Sequence, residues 1–408
     1  SGYPQPGLPA ATIDGKPYSW GTWMSPIWYA EKGGDNNLKV SEINISEKFT
    51  YNINKYLDVV ANFGYNSGTA TRDIKKMAIT SYNYAGTEIN GGPSVSNQAN
   101  SSYEKTDSRT DFYSMTGYVN YHNTFAKKHN VSAMIGTQYE LKEYDYFGVS
   151  VKDIQNSLET VNGAGEISLK DKHGTKWHEA VMSYYSRLNY NYNEKYLFEV
   201  NMRYDGSSKF QPENRWDFFY GLSAGWRITQ ESFMQNINWL NDLKLRLSYG
   251  EVGNDKLGGF SYYYRSGYDE GLGYTFGETH NPAIKGLIQG KSANENITWE
   301  VARKYNLGLE TKWLKDKISA SIDFFKERRS NILCEPERYS QAAGSNGLAP
   351  INYGVVTNQG YDLEIGYQDQ KGDFGYSIKG IYGYAHNEIV EKSESVKPYA
   401  YMSQTGNP

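Results

Sequence analysis

Hydrophobic and polar residues alternate with a period of two along much of the chain between residues 38 and 390. From Tyr196 to Tyr204 every even-numbered residue is apolar or aromatic, whereas the odd positions from Glu199 to Asp205 are all polar. Such alternation predicts strands with one apolar and one polar face. A second run begins at Trp216, and both runs are longer than a usual soluble strand. Aromatic residues at both ends of an apolar stripe are typical of strands that cross a membrane.

The same pattern predicts about twelve strands, arranged as six hairpins. The predicted pairs are 38–52 with 56–67, 108–125 with 130–147, 179–192 with 196–209, 216–230 with 243–253, 299–313 with 318–331, and 354–370 with 374–390. A short helix is expected around residues 232–240. The connections between hairpins are long, at about 68–107, 148–178, 254–298 and 332–353. Compact soluble domains rarely contain such loops, but outer-membrane barrels combine short periplasmic turns with long extracellular loops.

Composition supports an all-β chain and changes this picture little. The 408 residues include 38 Tyr and 41 Gly, a usage typical of β-proteins with many turns. No stretch approaches the roughly 20 apolar residues of a membrane helix, although a membrane strand needs only every second residue to be apolar. A net charge of −4 without a basic patch argues against nucleic-acid binding. The single cysteine, Cys334, leaves no intrachain disulfide.

The sequence carries no recognisable enzyme or cofactor motif. Its six histidines lack the spacing of metal ligands. Residues 286–292 resemble a phosphate-binding loop, but they are one residue short and have no strand–helix context. We therefore expect no catalytic, cofactor-binding or metal-binding residue and no enzymatic activity. Polar strand residues such as Arg187, Glu199, Arg246 and Glu310 are expected to line a water-filled interior. Aromatics of the long loops, such as Trp177, would either stack on sugar rings or pack the loops together.

Several motifs between about residues 180 and 390 resemble those of the SusC/RagA-type TonB-dependent transporters of Gram-negative outer membranes. They are an R-x-D-G-S-S-x-F run followed by N-R-W, then L-R-x-S-Y-G-x-x-G-N, then W-E, and finally N-x-G. The matching positions are Arg203, Asp205, Gly206, Ser207, Ser208, Phe210, Asn214, Arg215, Trp216, Arg246, Tyr249, Gly250, Gly253, Asn254, Trp299, Glu300, Asn358 and Gly360. We expect these residues to be structural.

The resemblance implies a transmembrane antiparallel β-barrel of about 22 strands, of which this chain would supply about twelve. Residues 1–36 are then expected to form a loop region, residues 37–390 part of the barrel, and residues 391–408 the start of an extracellular loop. The plug domain, the TonB box and the closing strands would lie outside this chain.

The resemblance also implies a function and partners. It implies an outer-membrane importer of oligosaccharides or peptides that acts with a SusD-like surface lipoprotein and is driven by the TonB complex through the plug. Two transporter–lipoprotein pairs could associate as a dimer. No cofactor and no nucleic acid are expected, and the lipid bilayer is expected to surround the barrel. The residues by themselves leave two alternatives, a passive porin-type barrel and a secreted β-rich binding or adhesin module.

Overall fold

The structure, a computed structural model, consists almost entirely of β-strands. It describes residues 12–13, 16–17, 19–20, 23–24, 30, 33–77, 82, 85–87, 101–152, 154, 167–169, 175–234, 236–258, 262–270, 286–337 and 347–408. Its long strands are β1 (Asn36–Asn54), β2 (Leu57–Lys76), β3 (Ser102–Phe125), β4 (His129–Lys152), β5 (Thr175–Tyr192), β6 (Tyr196–Ser207), β7 (Trp216–Arg227), β8 (Leu240–Asn254), β9 (Glu300–Trp313), β10 (Ile318–Cys334), β11 (Ile351–Lys371) and β12 (Phe374–Glu391). Shorter strands are Thr12–Ile13, Lys16–Pro17, Ser19–Trp20, Trp23–Met24, Ile167–Leu169, Tyr268–Glu270 and Leu287–Gln289, and 3₁₀-helices are Ile228–Gln230, Ser232–Met234 and Ala400–Met402.

The twelve long strands form one antiparallel sheet in the order of the sequence, so that β1 and β12 lie at its two ends. Strand Ile167–Leu169 adds to it by pairing with Val149–Val151 of β4. Each strand therefore pairs with the strands before and after it in the chain, as the hairpin pattern predicts. The all-β, antiparallel fold expected from the sequence is confirmed. Among the described residues, no helix is long and apolar enough to span a membrane.

Tight turns close the hairpins at one end of the sheet. The β5–β6 turn holds Asn193 and Glu194 at φ 51° and 59°, and the β3–β4 turn holds Ala126 and Lys127 at φ 47° and 56°. Two successive residues with positive φ are characteristic of type I′ turns, whose twist matches that of the flanking strands. Asn193 suits this position because asparagine tolerates the left-handed conformation better than most residues.

Several strands are longer than predicted at the end opposite the tight turns. Strand β2 continues to Lys76 and β4 to Lys152, although the predicted strands end at residues 67 and 147. The added segment of β2 is rich in polar residues on both faces, so its alternation is lost while its backbone pairing continues, whereas the added residues of β4 still alternate, with Val149 and Val151 on one face. Strand pairing requires only backbone N–H and C=O groups. The alternation of hydrophobic residues therefore underestimates the length of β2.

The short helix predicted around residues 232–240 is smaller than expected. In the described residues of this connection the chain forms the 3₁₀-helices Ile228–Gln230 and Ser232–Met234, and Leu240 already begins β8. Glu231 fixes this short connection, because its carboxylate accepts hydrogen bonds from Tyr196 Oη at 2.6 Å and Trp226 Nε1 at 3.2 Å.

The chain divides into two compact units, residues 1–46, 64–113 and 141–178, and residues 47–63, 114–140 and 179–408. In the first unit, Tyr103, Val151 and Ile154 form a small buried cluster. Ser101 Oγ donates to the carbonyl oxygen of Ile154 at 2.9 Å and closes that cluster. The second unit contains most of β5, all of β6 to β12, and the polar rows and the strand-end cluster described below.

Candidate functional site

The apolar face of strands β5 to β12 is exposed. Leu247, Leu307 and Phe324 are cross-strand neighbours, and they are 58%, 44% and 49% exposed. Other exposed residues of this face are Tyr184, Leu188, Phe198, Met202, Tyr204, Phe218, Leu222, Leu245, Tyr305, Ile365, Tyr382 and Tyr384. Soluble monomers rarely expose a contiguous apolar surface of this extent. A lipid environment would cover it without further protein, whereas a soluble β-sandwich would bury such a face between two sheets.

Aromatic residues border this apolar face. Away from the tight turns, Tyr249 lies 5.6 Å from Tyr220 and 4.9 Å from Tyr305 between ring centroids. Near the tight turns, the corresponding residues are Tyr196, Trp226, Trp313, Tyr367 and Tyr376. On β9 the eight residue steps from Tyr305 to Trp313 span about 26 Å along the strand. With a tilt of about 40° this becomes about 20 Å, close to the roughly 25 Å apolar band of a membrane barrel.

The opposite face is polar and ion-paired. Arg246 bridges two carboxylates, with Nε at 2.7 Å from Glu310 Oε1 and Nη2 at 2.9 Å from Asp323 Oδ1. Lys244 Nζ lies 3.5 Å from the other oxygen of Glu310. These side chains come from three successive strands, so the row ties β8, β9 and β10 together on this face. The sequence prediction that Arg246 and Glu310 share the polar face is confirmed by this contact.

A second polar group lies further along the same face on β5 and β6. Arg203 donates to both carboxylate oxygens of Asp205, at 3.1 and 3.0 Å, and to Ser183 Oγ at 3.0 Å. Arg187 Nε donates to Asn201 Oδ1 at 2.7 Å. Charged and amide groups in such a row favour a surface in contact with water or with another polar protein segment.

A cavity of about 870 Å³ lies against this face near the tight turns. Its lining includes Asn189, Glu199, Ser223, Lys244 and Arg246. Among the described residues, no group of three His, Cys, Asp or Glu side chains has the arrangement of a metal site.

The strand ends opposite the tight turns carry an apolar group that we call the strand-end cluster, comprising Phe210, Phe219, Leu257, Ile297, Trp299 and Val301. Trp299 lies at its centre, with ring centroids 5.3 Å from Phe210 and 5.5 Å from Phe219. Phe210 and Ile297 are fully buried. Motif residues about 90 positions apart in the sequence thus meet in one core. The motif search identified Phe210 and Trp299 but missed Phe219 and Ile297, which only the folded chain brings to them.

Polar motif residues surround this cluster and satisfy the backbone of the loops. Trp299 Nε1 donates to the carbonyl oxygen of Arg215 at 2.9 Å. Asn214 Nδ2 donates to the carbonyl oxygen of Glu295 at 3.0 Å. Because buried carbonyl groups need partners, these bonds fix the segment after β6 against the segment before β9.

A buried ionic group adjoins the cluster. Ser207 Oγ donates to Asp255 Oδ2 at 2.8 Å. Lys209 Nζ lies 3.4 Å from Asp255 and 3.2 Å from Glu179. Ser208 exchanges hydrogen bonds with Ala180, since Ser208 N donates to the Ala180 carbonyl and Ala180 N donates to Ser208 Oγ, both at 2.9 Å. The D-G-S-S run therefore anchors the end of β6 on β5 and β8, which agrees with a structural role for these serines.

Two motif glycines allow aromatic rings to approach the backbone. A Cβ on Gly206 would lie 2.6 Å from the indole of Trp216, which stacks on Tyr204 at 4.9 Å. A Cβ on Gly253 would overlap the ring of Phe219. The motif glycines at these positions thus make room for packed aromatics.

The remaining motif residues lie elsewhere. Glu300 pairs with Arg329 at 3.4 Å, and the Asn254 carboxamide oxygen accepts from Lys256 N at 3.1 Å. Tyr249 belongs to the aromatic border and Arg246 to the polar row, as described above. Gly250 pairs with Gly221, Asn358 with Glu327 and Gly360 with Ala385. The motifs therefore mark no single binding site.

Asn352 ties a further loop to the strand-end cluster and was not selected as a motif residue. Its Oδ1 accepts from Thr298 N at 2.9 Å, and its Nδ2 donates to the carbonyl oxygens of Thr298 at 2.9 Å and Asn331 at 2.8 Å. One side chain thus joins the segments before β9, at the end of β10 and at the start of β11.

Two carboxylates organise the segment that follows β12. Glu337 accepts hydrogen bonds from Lys397 Nζ at 2.6 Å and from the Ser395 amide at 3.1 Å and hydroxyl at 3.0 Å. The Lys397 ammonium, followed by the Ser395 groups, lowers the pKa of Glu337 to about 2.

Glu394 has the same function in this segment. Burial alone would raise its pKa, but hydrogen bonds from the Gln404 and Thr405 amides and from the Thr405 and Ser403 hydroxyls outweigh burial and lower the pKa to about 2. The Gln404 amide is 2.9 Å from the Glu394 carboxylate. The segment is thereby folded back on itself, and it presents Tyr399 and Tyr401 outward with their rings 5.6 Å apart and only 11° from parallel.

The aromatics predicted in the loops are engaged with protein where the structure describes their contacts. Tyr262 and Tyr264 contact each other at 6.1 Å with Arg265 over both rings. Trp177 stacks on Tyr144 at 5.3 Å. Two other loop aromatics, Tyr84 and Tyr274, lie outside the described residues. These contacts favour loop packing over sugar stacking for Trp177, Tyr262 and Tyr264.

Comparison with known proteins places these features in a family context. The family model described as "TonB dependent receptor-like, beta-barrel" matches residues 3–408. The TonB-dependent receptor SusC of Bacteroides thetaiotaomicron is 31% identical over 230 residues, which are 55% of this chain and 22% of SusC. The TonB-dependent receptor P39 of Formosa agariphila is 27% identical over 293 residues, 71% of this chain and 27% of that protein. The chain thus spans about a quarter of the length of these curated relatives.

Solved structures show the same fold. The RagAB peptide importer in its closed-closed state matches with a TM-score of 0.80 at 22% sequence identity, over 97% of this chain and 41% of that chain. The siderophore receptor PiuA of Acinetobacter baumannii matches with a TM-score of 0.52 at 12% identity, over 96% of this chain and 51% of that chain. At these identities the likeness concerns the arrangement of strands.

Proposed function

The chain belongs to the β-barrel family of TonB-dependent receptors and is of the SusC/RagA type, and from this membership we propose that it forms part of the wall of an importer in the outer membrane of a Gram-negative bacterium. In this proposal residues 37–390 belong to the barrel wall and residues 391–408 begin an external loop. The protein acts by gated passage of its cargo and forms no covalent intermediate with it.

The two-faced sheet is the observation that carries the proposal. One face exposes apolar residues within a border of tyrosines, and the other carries the Arg246 ion-pair row. A wall with lipid on one side and a hydrated, plugged passage on the other requires both surfaces. The same arrangement argues against a secreted binding module, whose apolar stripes would be buried between sheets.

We propose oligosaccharides as the cargo, with peptides as the alternative. The exposed pair Tyr399 and Tyr401, which are 61% and 82% exposed, supports the first choice. Flat aromatic rings held side by side suit the apolar faces of sugar rings. Glu337 and Glu394 hold the segment that carries them, so the pair is ordered before any cargo binds.

In this proposal, partner proteins supply the energy for uptake and assist the capture of cargo. No nucleotide motif is present in the sequence, so the TonB complex, acting through a plug, drives uptake in this proposal, and a SusD-like surface lipoprotein assists cargo capture. Two such transporter–lipoprotein pairs would associate as a dimer. The polar face then contacts the plug, and the cavity of about 870 Å³ near the tight turns is part of the space that the plug occupies.

Uptake by cells producing the full-length protein tests the function. Accumulation of a labelled oligosaccharide should require both the protein and an intact TonB complex. Accumulation that persists without TonB would indicate a passive porin, and a protein that extracts into buffer without detergent would contradict the membrane assignment.

Cargo class is tested on the tyrosine pair. The Tyr399→Ala/Tyr401→Ala variant should bind oligosaccharide at least tenfold more weakly, since one stacked ring contributes about 1–3 kcal/mol in comparable base-stacking sites. The matched control is Phe374→Ala/Tyr376→Ala, a stacked pair 5.9 Å apart beside the β11–β12 turn. Equal binding by both variants, with competition by peptides and not by sugars, would favour the peptide alternative.

A further inference from the structure

Three cations stand on the lipid-facing side of the sheet just beyond the aromatic border. They are Arg303 on β9 and Lys326 and Arg328 on β10, and all three are exposed. Lys326 is the cross-strand neighbour of Tyr305, which belongs to the border, and Arg303 directly faces Arg328. We call these three residues the rim cations.

Contacts among the described residues neutralise only one of the three rim cations. Like charges directly opposite each other on neighbouring strands destabilise a sheet. Arg303 has one carboxylate partner, with Nε at 2.8 Å from Glu251 Oε1. Within the described part of the chain, neither Lys326 nor Arg328 lies within ion-pair distance of a carboxylate. The group therefore keeps an excess charge of about +2.

The polar face at the same level shows the opposite behaviour. Lys304 pairs with Glu327 at 3.2 Å, and Arg329 pairs with Glu327 at 2.9 Å and with Glu300 at 3.4 Å. Lys304 and Arg329 are thus paired on the polar face, whereas within the described residues Lys326 and Arg328 on the other face have no carboxylate partner. A counter-charge supplied from outside the protein would account for this difference.

The position of the rim cations identifies where that counter-charge would lie. Arg303 and Arg328 are each ten residues from the strand ends that flank the β9–β10 turn, Trp313 and Ile318. Ten residues span about 33 Å along a strand and, at a tilt of about 40°, rise about 25 Å. This height equals that of the apolar band of a membrane barrel, so the rim cations reach the level of the lipid headgroups on the side away from the tight turns.

We propose that the rim cations form a binding site for the phosphate groups of lipid headgroups in the outer leaflet. The proposal rests on the membrane location proposed above. Arg303 and Arg328 present planar guanidinium groups, and Lys326 presents a compact ammonium group. Both kinds of group donate hydrogen bonds to phosphate oxygens. Glu251 holds the Arg303 side chain in place, and the Arg303–Arg328 repulsion is relieved when a phosphate binds between them. Tyr305 lies beside Lys326 at the depth where a headgroup meets the acyl chains.

Lipid binding to the full-length protein in detergent micelles tests the site. The probes are a saccharolipid with a phosphorylated headgroup, the same lipid after enzymatic dephosphorylation, and phosphatidylethanolamine, measured by native mass spectrometry or fluorescence titration. The test variant is Lys326→Gln/Arg328→Gln. Lys315→Gln/Lys371→Gln is the control, because both lysines are exposed at tight turns and the change in net charge is the same.

The wild type should prefer the phosphorylated lipid, with an affinity that falls as salt is added. Each cation near an anionic surface contributes about a factor of five, so the test variant should bind about thirtyfold more weakly and the control variant should bind like the wild type. Equal affinity for phosphorylated and dephosphorylated lipid, or an equal loss in both variants, would overturn the proposal. Normal TonB-dependent uptake alongside that result would leave the proposed function intact, whereas a protein soluble without detergent would refute the proposed function itself.

Discussion

Removal of the Trp299 side chain should open the strand-end cluster without disturbing the membrane-facing part of the sheet. Trp299 is 5% exposed, and burial of a tryptophan side chain removes about 200 Å² from water. At about 25 cal/mol per Å² this corresponds to about 5 kcal/mol. Measured Phe or Trp to Ala changes in cores cost about 3–5 kcal/mol. Trp299→Ala should therefore raise the fraction of molecules in which the strand-end cluster is locally unfolded by about a thousandfold.

Trp299→Phe separates packing from hydrogen bonding. Phenylalanine keeps most of the contact with Phe210 and Phe219 but cannot donate to the Arg215 carbonyl. That carbonyl also accepts from Ser207 N at 3.2 Å, so the loss should be about 1 kcal/mol. The open fraction should then rise only about fivefold.

Limited trypsin digestion of the full-length protein in detergent measures these differences. Lys209 and Arg215 are half-buried beside the cluster and supply trypsin cleavage sites that should be protected while it is closed. When opening and closing are fast relative to cleavage, the cleavage rate follows the open population. Trp239→Ala is the control, because Trp239 is 59% exposed and belongs to the other end of the sheet. Cleavage of Trp299→Ala at the wild-type rate would refute the assignment of Trp299 as the centre of the cluster.

Three further predictions concern other parts of the site. Gly206→Ala should destabilise the protein by about 1–3 kcal/mol in urea unfolding, because the methyl group meets the Trp216 ring, whereas Gly117→Ala, with open space around it, should be nearly neutral. Arg246→Met should cost about 1–2 kcal/mol in the same assay, since it leaves Glu310 and Asp323 without their shared cation, and a variant as stable as the wild type would contradict the ion-pair row. The pKa of Glu394 is about 2 when folded and about 4.3 when unfolded. Its contribution is therefore complete above about pH 4.5 and is lost as the pH falls towards 2, so the protection factors of the Gln404 and Thr405 amides, which correct for the pH dependence of intrinsic exchange, should fall over that range and remain unchanged between pH 5 and 7.

Much of the fold could be predicted because alternation is imposed by the two environments of the sheet. Tyr196 to Tyr204 must place alternate residues in lipid and in a polar interior, and one residue of slippage would reverse every side chain. Strand positions and pairing order were therefore predictable to within a few residues. The end of β2 was not, because its outer segment carries polar residues on both faces and loses the period while keeping the hydrogen bonds.

The strand-end cluster could not be predicted from periodicity. Phe210 and Ile297 lie in irregular segments with no period, and Phe219 falls on the polar face of β7 by alternation. Their burial depends on loops that return from distant parts of the chain. Asn352 illustrates the same limit, since its three hydrogen bonds join segments from three strands and only the tertiary structure brings these together.

Most of the motif residues lie outside the part of the strands that crosses the membrane, and this position explains their role. A strand that crosses a membrane requires alternating apolar and polar residues and aromatic residues at both borders. At most of its lipid-facing positions any apolar residue is suitable. Many motif residues lie beyond the alternating part of the strands, where the long connections begin. They are Asp205 to Phe210, Asn214 to Trp216, and Trp299. There they fix the bases of three connections through a packed core, a buried ionic group and hydrogen bonds to backbone carbonyls. In the importer proposed above, the connections that receive cargo would need a rigid base where they leave the barrel wall. The strand-end cluster supplies that base, and loss of its centre should therefore weaken cargo capture more than it weakens insertion into the membrane.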